Sequence, residues 1–94
     1  MGAAGANTTV DDERVRVTTW TFADGDETGF HTHEYDYVVA PVTGGTFVIT
    51  SPAGETSQRT QEAGVAYQGR AGTEHNVTNA SGCPAVFVEI ELKR

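Results

Sequence analysis

The stretch from Gly25 to Gly44, GDETGFHTHEYDYVVAPVTG, decides how this chain is read. His31 and His33 stand two apart in it, between the turn residues Asp24-Gly25-Asp26 and Gly44-Gly45. On a β-strand, side chains at i and i+2 project from one face with Cα atoms roughly 6.5 to 7 Å apart, so two such imidazoles can converge on one ion. Taken alone, the pair fits a solvent-exposed or hydrogen-bonded strand face equally well. The remaining histidine, His75, lies 42 residues beyond His33 in a second extended segment, Glu74 to Thr78.

Working outward, the chain is strands and turns. Val15, Val17, Thr19 and Thr21 alternate with Arg16, Thr18, Trp20 and Phe22, the period of two that marks a strand with distinct faces. Strands are expected at Phe30 to His33, Tyr37 to Ala40, Thr46 to Thr50, Glu55 to Thr60 and Val65 to Tyr67, with tight hairpins at Gly44-Gly45 and at Ser51-Pro52-Ala53-Gly54. Ala80-Ser81-Gly82 is read as a further hairpin, leading to a last strand from Ala85 to Leu92. There Val86, Val88, Ile90 and Leu92 share one face, and Phe87, Glu89 and Glu91 share the other. No segment carries the helical period. About eight short strands with Gly-rich turns predict an antiparallel sandwich or barrel. Residues 1–13, small and polar and ending in Asp11-Asp12-Glu13, read as a flexible N-terminal arm able to add to another strand, with residues 14–94 as the domain.

Ninety-four residues suffice for one core and no more. Thirteen acids against six Lys and Arg give a net charge of −7, and the cations are scattered, so the clustered positive field that nucleic acid requires is missing. No apolar run approaches the roughly 20 residues of a membrane span, and Met1 to Thr9 lacks the pattern of a secretory signal. A cytoplasmic protein without nucleic-acid or membrane partners is expected, and the sequons at Asn7, Asn76 and Asn79 read as chance. Cys83, the single cysteine, excludes an intramolecular disulfide and is expected to be a buried thiol. A chain this small then needs packing, a metal or a second copy of itself for stability, and a homodimer is expected.

The histidines and their surrounding glycines resemble the two motifs of the cupins, G-x5-H-x-H-x3–4-E-x6-G and G-x5-P-x-G-x2-H-x3-N. The first runs here from Gly25 through His31, His33 and Tyr37 to Gly44, and the second from Gly64 through Arg70, Gly72 and His75 to Asn79. The departures are Tyr37 in place of Glu and Arg70 in place of Pro. Every histidine of the chain falls on a ligand position. The resemblance implies an all-β, single-domain cupin-type antiparallel β-barrel, the double-stranded jelly roll. It also implies a divalent transition metal (Fe, Ni, Zn, Mn or Cu) held by His31, His33 and His75. The motif glycines, Gly25, Gly44, Gly64 and Gly72, sit where strands reverse and positive φ is needed.

The missing carboxylate is informative. Strand alternation puts Glu34 and Asp36 on the face opposite His31 and His33, although a shortened corner could turn Asp36 inward. Without them, three neutral ligands would leave the ion its full charge, and the cavity would favour an anion. Tyr37, on the inward parity, is the candidate catalytic side chain, as a pocket wall or hydrogen-bond donor, with a core aromatic as the plain alternative. Tyr35, Phe47, Tyr67 and Phe87 are read as core. Three facial imidazoles leave coordination positions open, as catalytic sites require. By resemblance to three-histidine cupins, this suggests a metal-dependent enzyme, an oxygenase in one version, acting on a small anionic chelating substrate. A non-redox isomerase or lyase and a non-catalytic ligand-binding cupin stay open beside it.

Overall fold

A computed structural model of the chain describes residues 2–94, leaving Met1, at the start of the expected arm, outside the described residues. Nine strands follow in order: β1 Gly5–Asp11, β2 Val15–Phe22, β3 His31–Thr32, β4 Asp36–Pro41, β5 Gly45–Thr50, β6 Thr56–Gln61, β7 Tyr67–Gly69, β8 Glu74–Asn79 and β9 Ala85–Leu92. They form a five-stranded sheet in the order β1-β2-β9-β4-β7 and a four-stranded sheet in the order β3-β8-β5-β6. All strand pairs are antiparallel, and no helix occurs among the described residues. The two sheets face each other across one interior, as a closed jelly roll requires.

Each strand's period of two sends alternate residues into that interior. On β2 the inward set is Arg16, Thr18, Trp20 and Phe22, and on β9 it is Ala85, Phe87, Glu89 and Glu91, with Thr18 opposite Glu89 and Phe22 opposite Ala85. Phe22, Phe47 and Phe87 meet with ring centroids 5.2 to 5.7 Å apart and close the end of the barrel where Phe22 pairs with Ala85. Burying three aromatic rings together supplies most of a small core. Toward the other end the inward residues turn polar, and the interior opens into a cavity.

Several local expectations change. Gly44-Gly45 and Ala80-Ser81-Gly82 are not hairpins: β4 and β9 lie in the five-stranded sheet, whereas β5 and β8 lie in the four-stranded one. Both segments are corners that carry the chain from one sheet to the other. The expected strand from Phe30 to His33 shrinks to His31–Thr32, and Val65 to Tyr67 shifts to Tyr67–Gly69. Most of the N-terminal arm is strand β1, paired with β2 through Gly5↔Thr21 and Asp11↔Arg16. The β-branched run Thr8-Thr9-Val10 suits an edge strand. Cys83 is exposed rather than buried, because it sits in the corner between β8 and β9. Gly25, Gly64 and Gly72 have φ of 82°, 81° and 88°, as their turns demand. Gly44 lacks a positive φ and serves close approach instead, since a Cβ there would lie 3.4 Å from the Gln61 carbonyl oxygen.

Candidate metal centre

Strands β3 and β8 bring the histidines together. His31 and His75 are cross-strand partners, and His33 shares the parity of His31 two residues on. His33 lies past the end of β3 and is held by its own N–H donating to the Thr73 carbonyl (2.9 Å) and by Gly72 N–H donating to the His33 carbonyl (2.8 Å). All three rings enter the barrel. His33 Nε2 stands 3.1 Å from both His31 Nε2 and His75 Nε2, with the ring planes crossed at 72° to 88°.

The tautomer of His31 follows from its partner. Its Nδ1 lies 2.9 Å from the Gly29 carbonyl oxygen, which can only accept, so Nδ1 carries the proton and Nε2 points a lone pair into the cluster. That carbonyl is positioned in turn by Gly29 N–H donating to Asn76 Oδ1 at 2.9 Å, and by Thr28 N–H donating to the Val77 carbonyl at 2.9 Å. Asn76, next to His75, is a positioning residue the sequence did not announce. Burial, followed by the neighbouring imidazoles, pushes His33 and His75 down to about 4. At neutral pH these rings are uncharged and their lone pairs are available. Nitrogens 3.1 Å apart are spaced as donors each about 2.1 Å from a shared ion. The donor set therefore fits a divalent transition metal, for which imidazole is a suitable ligand.

Tyr37 projects inward from β4 and stacks on His33, centroids 3.8 Å apart and planes 19° from parallel. It also packs against Gly69, where a Cβ would collide with the Tyr37 ring at Cζ. Burial, with Glu89 nearby, pushes the Tyr37 phenol up to about 12, so it stays protonated and supplies no anionic ligand at neutral pH. Glu34 is exposed, and so is Asp36, whose Oδ1 accepts from Ala71 N–H at 2.8 Å; the corner does not turn Asp36 inward.

The interior does hold an acid. Glu89 is 7% exposed and its Oε2 lies 4.0 Å from His33 Nε2, and His33, Glu89 and Glu91 form a second group of metal-capable side chains. Burial, with Glu91 adding to it, pushes Glu89 up to about 7. Burial thus biases both Glu89 and His33 toward their neutral forms. The signal for Glu89 was present in the sequence as its shared parity with Phe87, but nothing there said which face of β9 was inward.

The triad opens on a cavity of about 480 Å³. Val39, Phe47, Val77 and Phe87 give it an apolar lining. The Trp20 indole lies near-parallel to His31, centroids 6.4 Å apart, and its buried N–H is directed toward the Glu89 carboxyl. The opposite wall comes from β6 and β7, where the Arg59 guanidinium lies 4.0 Å from the Tyr67 ring centroid and Tyr67 Oη donates to Gln61 Oε1 at 3.0 Å. Phe47 and Phe87 are core, as expected, whereas Tyr67 is cavity wall.

No model of a known protein family matches the sequence. Among curated proteins, the chain is 51% identical over 84 residues to the beta-alanine degradation protein BauB of Pseudomonas aeruginosa, an alignment covering 89% of this chain and 87% of the relative. Among solved structures it is similar to a cupin domain from Bordetella pertussis, with a TM-score of 0.94 and 44% identity over 99% of this chain and 96% of that one. An RmlC-like cupin with a double-stranded β-helix fold from Methanocaldococcus jannaschii shares the fold at a TM-score of 0.78 and 12% identity, over 96% of this chain and 80% of that one.

Proposed function

The chain belongs to the cupin family, and on that premise we propose that it is a metal-dependent enzyme whose three-histidine centre acts on a small anionic chelating substrate. The observation that supports this most directly is the meeting of three Nε2 atoms at the wall of a cavity large enough for a small molecule. His31, His33 and His75 would hold the ion. When bound, a divalent transition metal would supply Lewis acidity and, as iron, activation of dioxygen.

The chain's own residues contribute the rest. The hydrogen bond from His31 to Gly29 and the stack of Tyr37 on His33 fix ring orientation before any ligand arrives. Val39, Phe47, Val77 and Phe87 exclude water from the inner end of the cavity. The relative BauB is named for β-alanine degradation, and a short carboxylic acid of that kind suits both the size of the cavity and the anion preference of a neutral ligand set.

A second reading is favoured by Glu89. A non-redox isomerase or lyase needs a proton-transfer group inside the pocket, and Glu89, pushed up to about 7, can hold or release a proton there near neutral pH.

Elemental analysis of native protein beside His75→Ala tests the site. Stoichiometric metal in the native chain and its loss in the variant are expected, and full metal retention in the variant overturns the assignment. Oxygen uptake by iron-loaded protein with short carboxylates, thiols and diketones supports the oxygenase version. Turnover with zinc in place of iron supports the Glu89 version. Iron and copper must be assayed separately, because a three-imidazole site ranks copper and nickel above iron.

A further inference from the structure

The cavity carries two chemically different groups in its lining. The histidine triad is one. The β6 wall supplies the other: Arg59, exposed at the cavity's edge, is the one permanent cation among the described residues that line it, in a chain of net charge −7. Its place follows from register: Phe47 pairs with Arg59 on β6 and with Asn79 on β8, so Arg59 lies two strands across from the histidine-bearing strand and four residues along it from His75.

Two features show a cation held ready for an anion. The Arg59 guanidinium is seated over the Tyr67 ring, and Tyr67 is itself anchored by its hydrogen bond to Gln61, so two strands from different sheets fix the group. Yet Arg59 forms no ion pair: among the described residues the salt bridges are Arg16–Glu91, His33–Glu89 and Lys93–Asp11. None of the chain's thirteen acids neutralises this arginine, whereas Arg16, of the inward set on β2, is paired with Glu91. Stacking leaves the edge of the guanidinium fork free to donate to a carboxylate through two parallel hydrogen bonds.

Resting on the metal-centre reading above, we propose that Arg59 is the carboxylate anchor of the substrate site. The substrate class is then a short bifunctional acid, with a carboxylate on Arg59 and a chelating oxygen or sulfur head directed to the three histidines. Tyr67 carries the guanidinium and makes no direct claim on the ligand. Two-point attachment fixes the head group relative to the triad, which a single contact at the metal does not.

The probes are 3-mercaptopropanoate and its amide, which share the thiol and differ only in the charged end. Their binding to native protein and to Arg59→Gln is followed by the visible spectrum of the cobalt(II)-loaded protein and by the fluorescence of Trp20, the sole tryptophan, which lines the cavity. The acid is expected to bind native protein roughly tenfold or more tighter than the amide, and Arg59→Gln to bring the acid down to the amide's affinity. Cobalt affinity should change by less than about twofold in the variant, since Arg59 is not among the ligands. Equal binding of acid and amide by native protein, or undiminished binding of the acid by Arg59→Gln, overturns the proposal. Failure of the native protein to take up cobalt is a separate result that rejects the metal centre. The fluorescence titration of metal-free protein then still decides on Arg59 by the same acid-to-amide comparison.

Discussion

The Tyr37 ring lies 3.8 Å from the His33 imidazole and nearly parallel to it, and the hydroxyl end of that ring occupies the space a side chain at residue 69 would fill. Sequence puts a tyrosine where the cupin motif has a glutamate, and packing turns that substitution into a buttress: Gly69 backs Tyr37, and Tyr37 backs the central histidine of the triad. The cost of the arrangement is a strict size limit at residue 69.

Gly69→Ala is therefore expected to destabilise the protein by about 1 to 3 kcal/mol, the range for overpacking a close contact. It should also weaken metal binding by displacing the ring behind His33. Tyr37→Phe keeps the stack and should leave metal affinity nearly unchanged, whereas Tyr37→Leu should lower it. Urea unfolding and metal titration read the two effects. A Gly69→Ala protein with native stability and native metal affinity would show that nothing depends on the stack.

Asn79, the last residue of the second motif, is 1% exposed and donates from Nδ2 to the Ala23 and Cys83 carbonyls at 3.2 and 2.8 Å, while its Oδ1 accepts from Ser81 N–H at 3.0 Å. These bonds pin the corner that carries the chain from β8 to β9. Asn79→Ala leaves two backbone groups, the Cys83 carbonyl and the Ser81 N–H, without this partner, while the Ala23 carbonyl still accepts from Asp26 N–H; at roughly 1 kcal/mol or more for each unpaired group, a loss of about 1 to 3 kcal/mol is expected in urea unfolding. Native stability in the variant would mean water replaces the amide at no cost.

The histidine triad was legible because it is written in two local rules, strand parity and motif spacing, and both survive folding. The two sheet-switching corners were not legible. Gly44-Gly45 and Ala80-Ser81-Gly82 have the chemistry of hairpin turns, and whether the following strand pairs with the preceding one or crosses to the other sheet depends on partners distant in sequence. The same non-locality hid Glu89 and Arg59. Alternation on β9 separated Glu89 from Val88 and Ile90, yet both faces carry apolar residues, and only closure of the barrel made the Phe87 side interior. Arg59 sits in an exposed strand of polar residues, and it becomes part of the cavity through Tyr67 on the opposite sheet.

That second apolar face has its own consequence. Val10, Val17, Ile90 and Val38 stand in register across β1, β2, β9 and β4 on the outside of the five-stranded sheet, with Leu92 exposed beside them. A stripe of this kind suits burial against a second copy of the chain. Light scattering is expected to give the mass of a dimer, and Ile90→Glu to give a monomer with the native circular dichroism spectrum. A native monomer at micromolar concentration would leave the stripe without this role.

Acid stability tests the buried acid directly. In metal-free protein, His33 and His75 are pushed down to about 4 from 6.5, so between those values the unfolded chain binds more protons at both and stability falls on acidification. Glu89 runs the other way. Pushed up to about 7 from 4.5, it holds a proton in the folded state that the unfolded chain has released, so its contribution improves as pH falls through 7 and is complete below 4.5. From pH 6.5 to 4.5 the two histidines outweigh the one acid by a net of about one proton, a loss of roughly 1.4 kcal/mol per pH unit from these three groups. Glu89→Gln removes the opposing proton and leaves the histidines alone, so the same limb should steepen toward two protons. Urea midpoints at several values between pH 7 and 5 measure both slopes. Equal slopes in the native protein and the variant would mean that Glu89 is ionised in the folded chain throughout this range, and its part in proton transfer near neutral pH would fall with that result.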